Sequence, residues 1–369
     1  MRNRLAVIGA GDFQNQLIKK AKARGMETHV FAWKSGDIGE READYFYPIS
    51  IIEKDQILEK CREIKPAGIV SIASDLAVVT VSYVAEKLNL IGNGMESAKI
   101  STNKYLMRKA FEANKDPSPR YCRSDEMTDE MLQNMHLPLI VKPVDRSGSR
   151  GVTKITDRSE IRDAVKRAEE QSFENLAVIE EFIEGDEYSV EYISWEGRHT
   201  FLALTQKYTT GAPHFIETGH VEPAIVSEET LGNIQKTVVH ALDSLLIKYG
   251  ASHAEIKVTP GGDVKIIEIG ARMGGDCIGS DLVQISTGYD FVNMVIDIAC
   301  GKQPSFEKVC IPQRAEVRFL FGKEDFQRLE ELKKTNPDCL YRVSELKEPE
   351  EGITVTDSSA RYGYYIIRG

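Results

Sequence analysis

Short apolar runs and amphipathic stretches alternate along the first part of the chain. The apolar runs lie at 4–10, 28–33 and 68–73, and the amphipathic stretches lie at 11–24, 53–65 and 75–88. Buried strands that alternate with helices of this length are typical of a small parallel sheet with crossover helices. The chain is therefore predicted to begin with a βαβ domain.

The pattern changes after a helical stretch at 97–114, where the segment KDPSP (115–119) breaks the chain. The apolar runs that follow predict strands paired in hairpins, and they lie at 137–143, 151–156, 177–182, 188–194 and 199–205. A long amphipathic helix is predicted at 227–249, and the last part, 312–369, predicts a strand, a helix and two strands. We expect an α/β (α+β) protein with a domain boundary near KDPSP.

The segment 253–272 (HAEIKVTPGGDVKIIEIGAR) alternates polar and apolar residues around a Pro-Gly-Gly turn, which predicts a β-hairpin. If Thr259 pairs with Val264, Glu255 lies directly opposite Glu268. Opposed residues of an antiparallel pair have Cβ atoms roughly 4.5–5.5 Å apart. The hairpin is therefore predicted to place two carboxylates side by side.

Two carboxylates at this distance destabilise a sheet unless a positive group lies between them. A divalent cation would supply that charge, and hard oxygen ligands suit Mg²⁺. Neutralisation by Lys257 or Lys265 at a wet surface is the alternative. A slip of one residue in the register would also separate the two carboxylates.

Composition narrows the classes of function. The chain has 369 residues, of which 41% are hydrophobic and 28% are charged, and its net charge is −10. This length suits two or three domains, and the acidic balance argues against a general nucleic-acid binder. Six scattered cysteines without a C-x-x-C pair indicate reduced thiols rather than a zinc site. No apolar run is long enough for a bilayer span or a secretory signal, so a cytoplasmic location is expected.

Residues 139–152 (LIVKPVDRSGSRGV) combine a lysine at the end of a strand with a loop rich in glycine and serine. Backbone N–H groups of such a loop can form an anion cradle. The hydroxyls of Ser147 and Ser149 can add hydrogen bonds, and Lys142 adds positive charge. A flexible hairpin loop with a basic surface would give the same pattern.

Residues 178–191 (VIEEFIEGDEYSVE) place apolar side chains between acidic ones after a strand. The apolar residues Ile179, Phe182 and Ile183 indicate that something flat packs there. A solvated acidic loop is the alternative for this segment.

Taken in order, the motifs resemble those of the ATP-grasp superfamily: Lys104, Lys142 with the SGSRG loop, EEFIEGDE, H-x-E and E-x-x-x-R. The resemblance covers roughly residues 100–300. It implies an N-terminal Rossmann-like parallel sheet domain followed by an ATP-grasp fold of two α+β subdomains. The expected parts are the N-terminal domain (1–95), a helical linker (96–120), a first ATP-grasp subdomain that acts as a mobile lid (121–186), a second subdomain with the catalytic and metal residues (187–305), and a small C-terminal α+β subdomain (306–369).

The resemblance implies that ATP and Mg²⁺ bind, with Mn²⁺ as an alternative metal. Lys104 and Lys142 would contact the phosphates, and Glu255 and Glu268 would hold the metal. The other nucleotide contacts that it implies are the loop residues Ser147, Gly148, Ser149 and Gly151, the adenine-site residues Glu180, Glu181, Phe182 and Ile183, and the ribose-binding Glu187. Many relatives have asparagine where this chain has Gly270, so one metal ligand is expected from water or substrate, or metal binding is expected to be weaker.

The segment 207–223 (KYTTGAPHFIETGHVEP) is similar to a segment of amino-acid ligases in the same superfamily. The similarity implies that Glu217 faces a substrate ammonium and that His220 faces the reacting carboxylate or its phosphate. Arg272 would steady the charge that is transferred to the carboxylate. For His220, a loop histidine satisfied by backbone groups is the alternative.

The resemblance implies an ATP-dependent carboxylate–amine ligase. Such an enzyme activates a carboxylate as an acyl phosphate and joins it to an amine, giving an amide, ADP and phosphate. An amino-acid substrate is expected. The expected partners are therefore small molecules, without nucleic acid or membrane, and a homodimer is considered.

Three alternatives stay open. A purine-biosynthesis-type or carboxyphosphate-forming ligase would bind a phosphorylated substrate at GAGDFQ (9–14). A non-catalytic ATP-binding module would not need the set of Glu255, Glu268 and Arg272. A dinucleotide-dependent oxidoreductase fits poorly, because Gln14 replaces the third glycine of the fingerprint and FAWK (31–34) offers no acid for a ribose.

Overall fold

The computed structural model describes residues 3–212, 215–348, 358 and 361–369. Pro213 and His214 of the predicted substrate segment, and most of 349–360 in the predicted C-terminal subdomain, lie outside the described residues. The protein is of the α/β (α+β) class, with one parallel sheet of four strands and antiparallel sheets of four and eight strands.

The N-terminal domain is a parallel sheet of order β3–β2–β1–β4. Its elements are β1 (Arg4–Ile8), α1 (Asp12–Ala23), β2 (Glu27–Phe31), α2 (Ile38–Glu42), β3 (Tyr45–Tyr47), α3 (Lys54–Ile64), β4 (Gly68–Val70) and α4 (Asp75–Leu88). The predicted βαβ alternation is confirmed. The sequence pattern missed α2 and β3 because β3 is a partly exposed edge strand of three residues, which is too short to show a period.

Two helices, α5 (Met95–Thr102) and α6 (Lys104–Asn114), replace the single helix predicted at 97–114. Asn103 separates them, because its backbone is extended and its side chain accepts a hydrogen bond from the Leu106 N–H at 3.1 Å. This cap makes Lys104 the first residue of α6.

The first antiparallel sheet has the order β5–β8–β6–β7. Its elements are β5 (Tyr121–Arg123), α7 (Asp129–Gln133), β6 (Leu139–Pro143), β7 (Thr153–Ile155), α8 (Ile161–Gln171) and β8 (Ala177–Glu181). The apolar side chains of α8 and of all four strands form one buried core cluster. The strands predicted at 137–143, 151–156 and 177–182 are confirmed with slightly shorter bounds.

The second antiparallel sheet has the order β13–β12–β9–β10–β11–β14–β16–β15. Its elements are β9 (Asp186–Trp195), β10 (Arg198–Thr209), β11 (Glu217–Glu222), α9 (Glu228–Ser244), β12 (Gly250–Val258), β13 (Val264–Gly270), α10 (Val283–Thr287), α11 (Phe291–Ala299), β14 (Ala315–Leu320), α12 (Lys323–Thr335), β15 (Leu340–Val343) and β16 (Gly363–Arg368). The last three strands, β14, β15 and β16, therefore belong to the same sheet as β9 and the strands that follow it.

Helix α9 ends at Ser244, five residues before the predicted end at 249. Leu246 takes a left-handed conformation with φ 57°, and β12 begins at Gly250. The apolar periodicity continues past the helix because Leu245 and Ile247 are buried in the same core as α9. The predicted helix was therefore too long, because buried residues of the following loop continue its apolar pattern.

Strands β9, β12 and β13 each have one apolar and one polar face. The apolar face packs on α9 through Tyr188, Val190, Tyr192, Ala254, Ile256 and Ile266. Along β9 and β12, the residues that alternate with these apolar residues point to the opposite face of the sheet. That polar face lines the pocket described below.

Candidate active site

The hairpin brings Glu255 and Glu268 directly opposite each other, as predicted. The ladder begins one residue out of the predicted register, because Val258 rather than Thr259 pairs with Val264. Between Ile256 and Glu255, a bulge places one extra residue in β13. This bulge restores the predicted register at Glu255. The opposed carboxylates are confirmed, although the turn that leads to them is one residue wider than predicted.

Strand pairing gathers further polar residues on the same face. Directly opposed residues of antiparallel strands share a face. Lys207 pairs with His220, Lys257 with Glu187, and Glu255 with Ser189. The side chains that share this face and line one pocket are Glu187, Lys207, His220, His253, Glu255 and Glu268.

The two opposed carboxylates each contact a lysine, but neither lysine is Lys257 or Lys265, the two that the hairpin sequence suggested for neutralisation. Lys207 Nζ lies 2.7 Å from Glu255 Oε1, and Lys104 Nζ lies 2.9 Å from Glu268 Oε2. Lys257 instead lies 4.0 Å from Glu187. The neutralising charges come from β10 and α6, which the hairpin sequence does not contain.

Lys207 joins three carboxylates. Its Nζ is 2.7 Å from Glu255, 3.0 Å from Glu187 and 3.8 Å from Glu217. Burial opposes the charge, but these carboxylates raise the pKa of Lys207 well above its usual value. Sequence reasoning missed Lys207, which is the first residue of the segment that resembles amino-acid ligases.

A buried histidine supports Glu255 from the other side. His253 Nδ1 makes a short hydrogen bond to Glu191, and its Nε2 lies 3.4 Å from Glu255 Oε1. Glu191 also accepts the Gly274 N–H at 3.0 Å. Burial disfavours charge on the ring, but Glu191 outweighs it and raises the pKa of His253 to about 9. His253 is therefore a cation at neutral pH.

The carboxylate pair suits a metal that is shared with a ligand. Within the described ranges, no group of three or more histidine, cysteine, aspartate or glutamate side chains is arranged to hold a metal ion. Glu255 and Glu268 thus offer two hard oxygen donors. Mg²⁺ is commonly held by one or two carboxylates, water and substrate phosphates, so the donor set fits it.

Two lysines lie where the phosphates are predicted to bind. Lys142, at the end of β6, is buried and lies 2.8 Å from Glu180 Oε2. Lys104 also donates to the Arg146 carbonyl at 2.7 Å, which ties α6 to the start of the glycine-rich loop. Burial lowers the pKa of Lys142, whereas Glu268 and Asp75 outweigh burial and raise that of Lys104.

The glycine-rich loop borders the pocket on one side. Ser147, Gly148 and Ser149 line it, and Ser149 donates to the Phe215 carbonyl at 3.4 Å. Gly151 is outside the lining. A Cβ atom on Gly151 would lie 3.0 Å from Pro143 Cγ, so this glycine serves the return into β7.

The predicted adenine end contains a buried ion triad. Glu180 accepts from Arg108 Nε at 2.8 Å and from Lys142 Nζ at 2.8 Å. Although burial opposes it, these two cations lower the pKa of Glu180. Arg108 was not predicted, and its position on α6 carried no distinguishing signal. Because the triad already uses the Glu180 oxygens, contact with an adenine amino group stays a prediction.

Phe182 forms a flat surface at the same end. Lys154 Nζ and Lys257 Nζ lie 3.8 and 4.4 Å from the centre of its ring. The carboxylate of Glu181 hydrogen-bonds to the His136 ring at 2.9 Å, and its backbone N–H donates to the Arg120 carbonyl at 3.0 Å. Phe182, Glu181 and Ile183 all line the pocket together with Glu187.

His220 lies at the other end of the pocket and is 1% exposed. Within the described part of the chain, neither of its ring nitrogens has a hydrogen-bond partner. Asp276 Oδ2 is 3.7 Å from Nε2, and burial lowers the pKa of the ring. A histidine satisfied by backbone groups is therefore not what the structure contains, and His220 is available to a ligand.

Glu217 lies beside His220 and contacts a residue from the end of the chain. Arg361 donates to Glu217 Oε2 at 3.2 Å and to Asp276 Oδ1 at 2.8 Å, and it stacks on Phe319. Burial and the negative charge of Asp276 raise the pKa of Glu217, although the cations Lys207 and Arg361 lower it. Asp276 and Arg361 were not predicted, because they are distant from Glu217 in sequence and fall in no motif.

Arg272 completes the cluster of charges near the carboxylate pair. It follows β13 and lines the pocket, as predicted. Its guanidinium forms a bidentate pair with Asp75 of α4, with two contacts of 2.8 Å. Asp75 was not predicted, since it comes from the N-terminal domain.

Comparison with known proteins agrees with this geometry. Residues 135–281 match the family model described as the ATP-grasp domain. The alanine–anticapsin ligase of Bacillus subtilis (strain 168) is 26% identical over 302 residues, covering 72% of this chain and 63% of that relative. A crystal structure of an L-amino acid ligase from Bacillus licheniformis matches with a TM-score of 0.84 at 25% identity, covering 100% of this chain and 93% of the other.

A crystal structure of phosphoribosylglycinamide synthetase from Anaerococcus prevotii matches with a TM-score of 0.77 at 22% identity, covering 100% of this chain and 94% of the other. This second likeness shows the fold alone.

Residues 135–281 are thus similar to the domain that defines the ATP-grasp class, and the fold of the chain is similar to that of a ligase of known structure. Within that class, the chain is similar to amino-acid ligases. The chain spans between 63% and 66% of the length of the alanine–anticapsin ligases that it matches. None of the helices in the described ranges has the length and apolar character that a membrane span requires.

Proposed function

We propose that the protein is an ATP- and Mg²⁺-dependent carboxylate–amine ligase that uses an amino acid as a substrate. The observation that carries the proposal is the convergence of three groups on one pocket. Two lysines with a glycine-rich loop, two opposed carboxylates, and a histidine beside a glutamate all line this pocket, and among the described residues that histidine has no hydrogen-bond partner.

The proposed reaction has two steps. A substrate carboxylate attacks the γ-phosphate of ATP, so that an acyl phosphate forms and ADP leaves. An amine then displaces phosphate through a tetrahedral intermediate and gives an amide. The protein positions the groups and neutralises charge, which is how phosphoryl transfer is mostly catalysed.

The residues of the chain divide this work by position. Lys104 and Lys142 would bind the phosphates, and Glu255 and Glu268 would hold Mg²⁺. The metal, when bound, would neutralise charge that develops on the phosphate oxygens. Arg272 would face the reacting carboxylate and the phosphate that moves to it.

The far end of the pocket supports an α-amino acid as the carboxylate substrate. Burial and Asp276 raise the pKa of Glu217 even though Lys207 and Arg361 contact it, so further positive charge would stabilise its ionised form. A substrate ammonium would supply that charge. His220, buried without a hydrogen-bond partner, would then face the carboxylate or its phosphate.

The GAGDFQ turn does not favour a phosphorylated substrate. The Gln14 side chain lies over the turn, since a Cβ atom on Gly9 would be 3.1 Å from its Cγ and one on Gly11 would be 3.0 Å from its Oε1. Asp12 adds a carboxylate at the start of α1, where it accepts from the Tyr364 hydroxyl at 2.6 Å. Both features disfavour a phosphate in this turn.

The proposal is tested by measuring phosphate release from ATP and Mg²⁺ with amino acids supplied singly and in pairs. We expect one or more amino acids to stimulate release, with an amide product of matching mass. The matched control is Glu268→Gln, which should fold normally but lose turnover because the metal loses a ligand. Release that responds to bicarbonate or to a phosphorylated ribosyl amine, and to no amino acid, would contradict the proposal and favour the purine-type alternative.

A cytoplasmic location and a homodimer belong to the same proposal. All six cysteines are free thiols in the structure, which supports a reducing compartment. The expected division into domains also stays a proposal, with the strands after residue 314 continuing the sheet of the second subdomain.

A further inference from the structure

The N-terminal domain reaches the proposed catalytic arginine through one side chain. Asp75 accepts from Arg272 Nε and Nη2, both at 2.8 Å. The two side chains are 19% and 12% exposed. Bidentate pairs between a guanidinium and a carboxylate are stronger than single contacts, and they fix the orientation of both groups. Arg272 therefore has one defined orientation in the pocket.

The backbone around Asp75 is itself anchored. Asp75 is the first residue of α4, which Ser74 caps by accepting from the Ala77 N–H at 3.4 Å. The preceding Ala73 has φ 57°, and its N–H donates to the Met273 carbonyl at 3.3 Å. The turn before α4 is thus held against the residue that follows Arg272, so Asp75 is presented from a fixed base.

Gly270 leaves room for this ion pair. A Cβ atom on Gly270 would lie 2.8 Å from Asp75 Oδ1 and 3.1 Å from Arg272 Nε. The φ of Gly270 lies outside the left-handed region, so its backbone does not require glycine. Glycine is required here because Asp75 and Arg272 occupy the space that a Cβ atom at position 270 would take.

The neighbouring charges show what Asp75 prevents. The electrostatic partners of Arg272 include Glu255 and Glu268 besides Asp75. Burial opposes its charge, yet Asp75 together with these carboxylates raises the pKa of Arg272 above its usual value. Without Asp75, the guanidinium would turn towards the two carboxylates that are proposed to hold the metal.

We infer that Asp75 is a positioning residue, which holds Arg272 towards the reacting carboxylate and away from Glu255 and Glu268. Position 270 is glycine because the Asp75–Arg272 pair occupies the space beside it. The inference rests on the proposed function for the role of Arg272. Its structural part, the use of the space beside Gly270, is independent of any activity.

The kinetic test compares Asp75→Asn with wild type in ATP-dependent phosphate release. We expect kcat/KM for the carboxylate substrate to fall by about 10- to 100-fold, because Arg272 loses its fixed orientation. KM for ATP should change less than about twofold, because Asp75 contacts Arg272 directly and acts on Lys104 only through its charge. A loss of ATP affinity equal to the loss for the carboxylate would overturn the positioning role.

The matched control is Asp297→Asn. It breaks another ion pair of the N-terminal domain, between Asp297 on α11 and Arg24 on α1, at 2.5 Å and away from the pocket. If looser contact with that domain were the cause, both variants would lose the same activity. Equal losses in the two variants would therefore contradict the inference.

The stability test needs no substrate. Gly270→Ala should lower the melting temperature by several degrees, because the added methyl group meets Asp75. In an Asp75→Ala background, the same substitution should cost less than half as much. If the cost is unchanged, the space beside Gly270 is not reserved for Asp75. Should wild type show no turnover with any substrate, the proposed function fails while this cycle still decides the structural claim.

Discussion

At the residue scale, the pocket is organised by buried charges that share partners. Lys207 serves Glu187, Glu255 and Glu217 together, so removing any one of these carboxylates changes the field at the other two. Glu217 is the carboxylate least satisfied by this arrangement, because its contact with Lys207 is the longest of the three, at 3.8 Å.

Glu217→Gln should therefore affect the substrate more than the nucleotide. A charge-assisted hydrogen bond to an ammonium contributes roughly 1.5–3 kcal/mol, so we expect KM for the amino acid to rise by about ten- to hundredfold. KM for ATP should stay nearly constant. Parallel increases in both values, measured by steady-state kinetics, would show that Glu217 acts on the pocket as a whole.

The sequence predicted the residues of the site that lie within one motif. Alternation in the hairpin predicted that Glu255 lies opposite Glu268, but the structure reaches this pairing through a bulge that alternation does not predict. It could not find Lys207 as the partner of Glu255, since the pairing of β10 with β9 and β11 brings it there. Asp75 and Arg361 are further from the motifs that they contact, and no periodicity connects such positions.

At the element scale, the period of apolar residues predicted the strands and helices well and their ends less well. The bulge in β13 and the early end of α9 were missed, because a bulge and a buried loop both preserve a nearly periodic apolar pattern.

Strand β11 ends on a buried carboxyl group. Its last residue, Glu222, is buried and accepts from the hydroxyls of Thr205 and Ser286, each at 2.5 Å.

Burial raises the pKa of Glu222 to about 7, above the 4.5 that is usual for glutamate. The folded state therefore keeps a proton that the unfolded state loses first. Stability from the protonated form is fully present below about pH 4.5 and is lost as the pH rises through about 7.

Glu222→Gln should remove this dependence. Relative to wild type, the free energy of unfolding of the variant should rise by roughly 2–3 kcal/mol between pH 4.5 and 7.5, as measured by denaturant titration. Glu331→Gln on the exposed face of α12 is the control, and it should show no such trend. A difference between Glu222→Gln and wild type that does not change with pH would mean that Glu222 ionises normally.

At the scale of the whole molecule, the pocket is built by every part of the chain. The N-terminal domain contributes Asp75, the linker Lys104, the first antiparallel sheet Lys142, and the second Glu255 and Glu268. Arg361, just before the last strand, contacts the lining residues Glu217 and Asp276. The family resemblance predicts the nucleotide end from motifs, whereas the substrate end depends on how these parts pack together. Specificity for the substrates is therefore expected to lie in contacts between the parts.

The central claim is that a substrate carboxylate attacks ATP directly, and an oxygen-transfer measurement tests it. The amino acid that stimulates phosphate release would be supplied with ¹⁸O in its carboxylate, and the released phosphate would be analysed by mass spectrometry. Attack by the carboxylate predicts that each phosphate carries one ¹⁸O atom from the substrate, in step with the amide formed. Unlabelled phosphate at the same yield of amide would contradict an acyl phosphate and with it the proposed ligase mechanism.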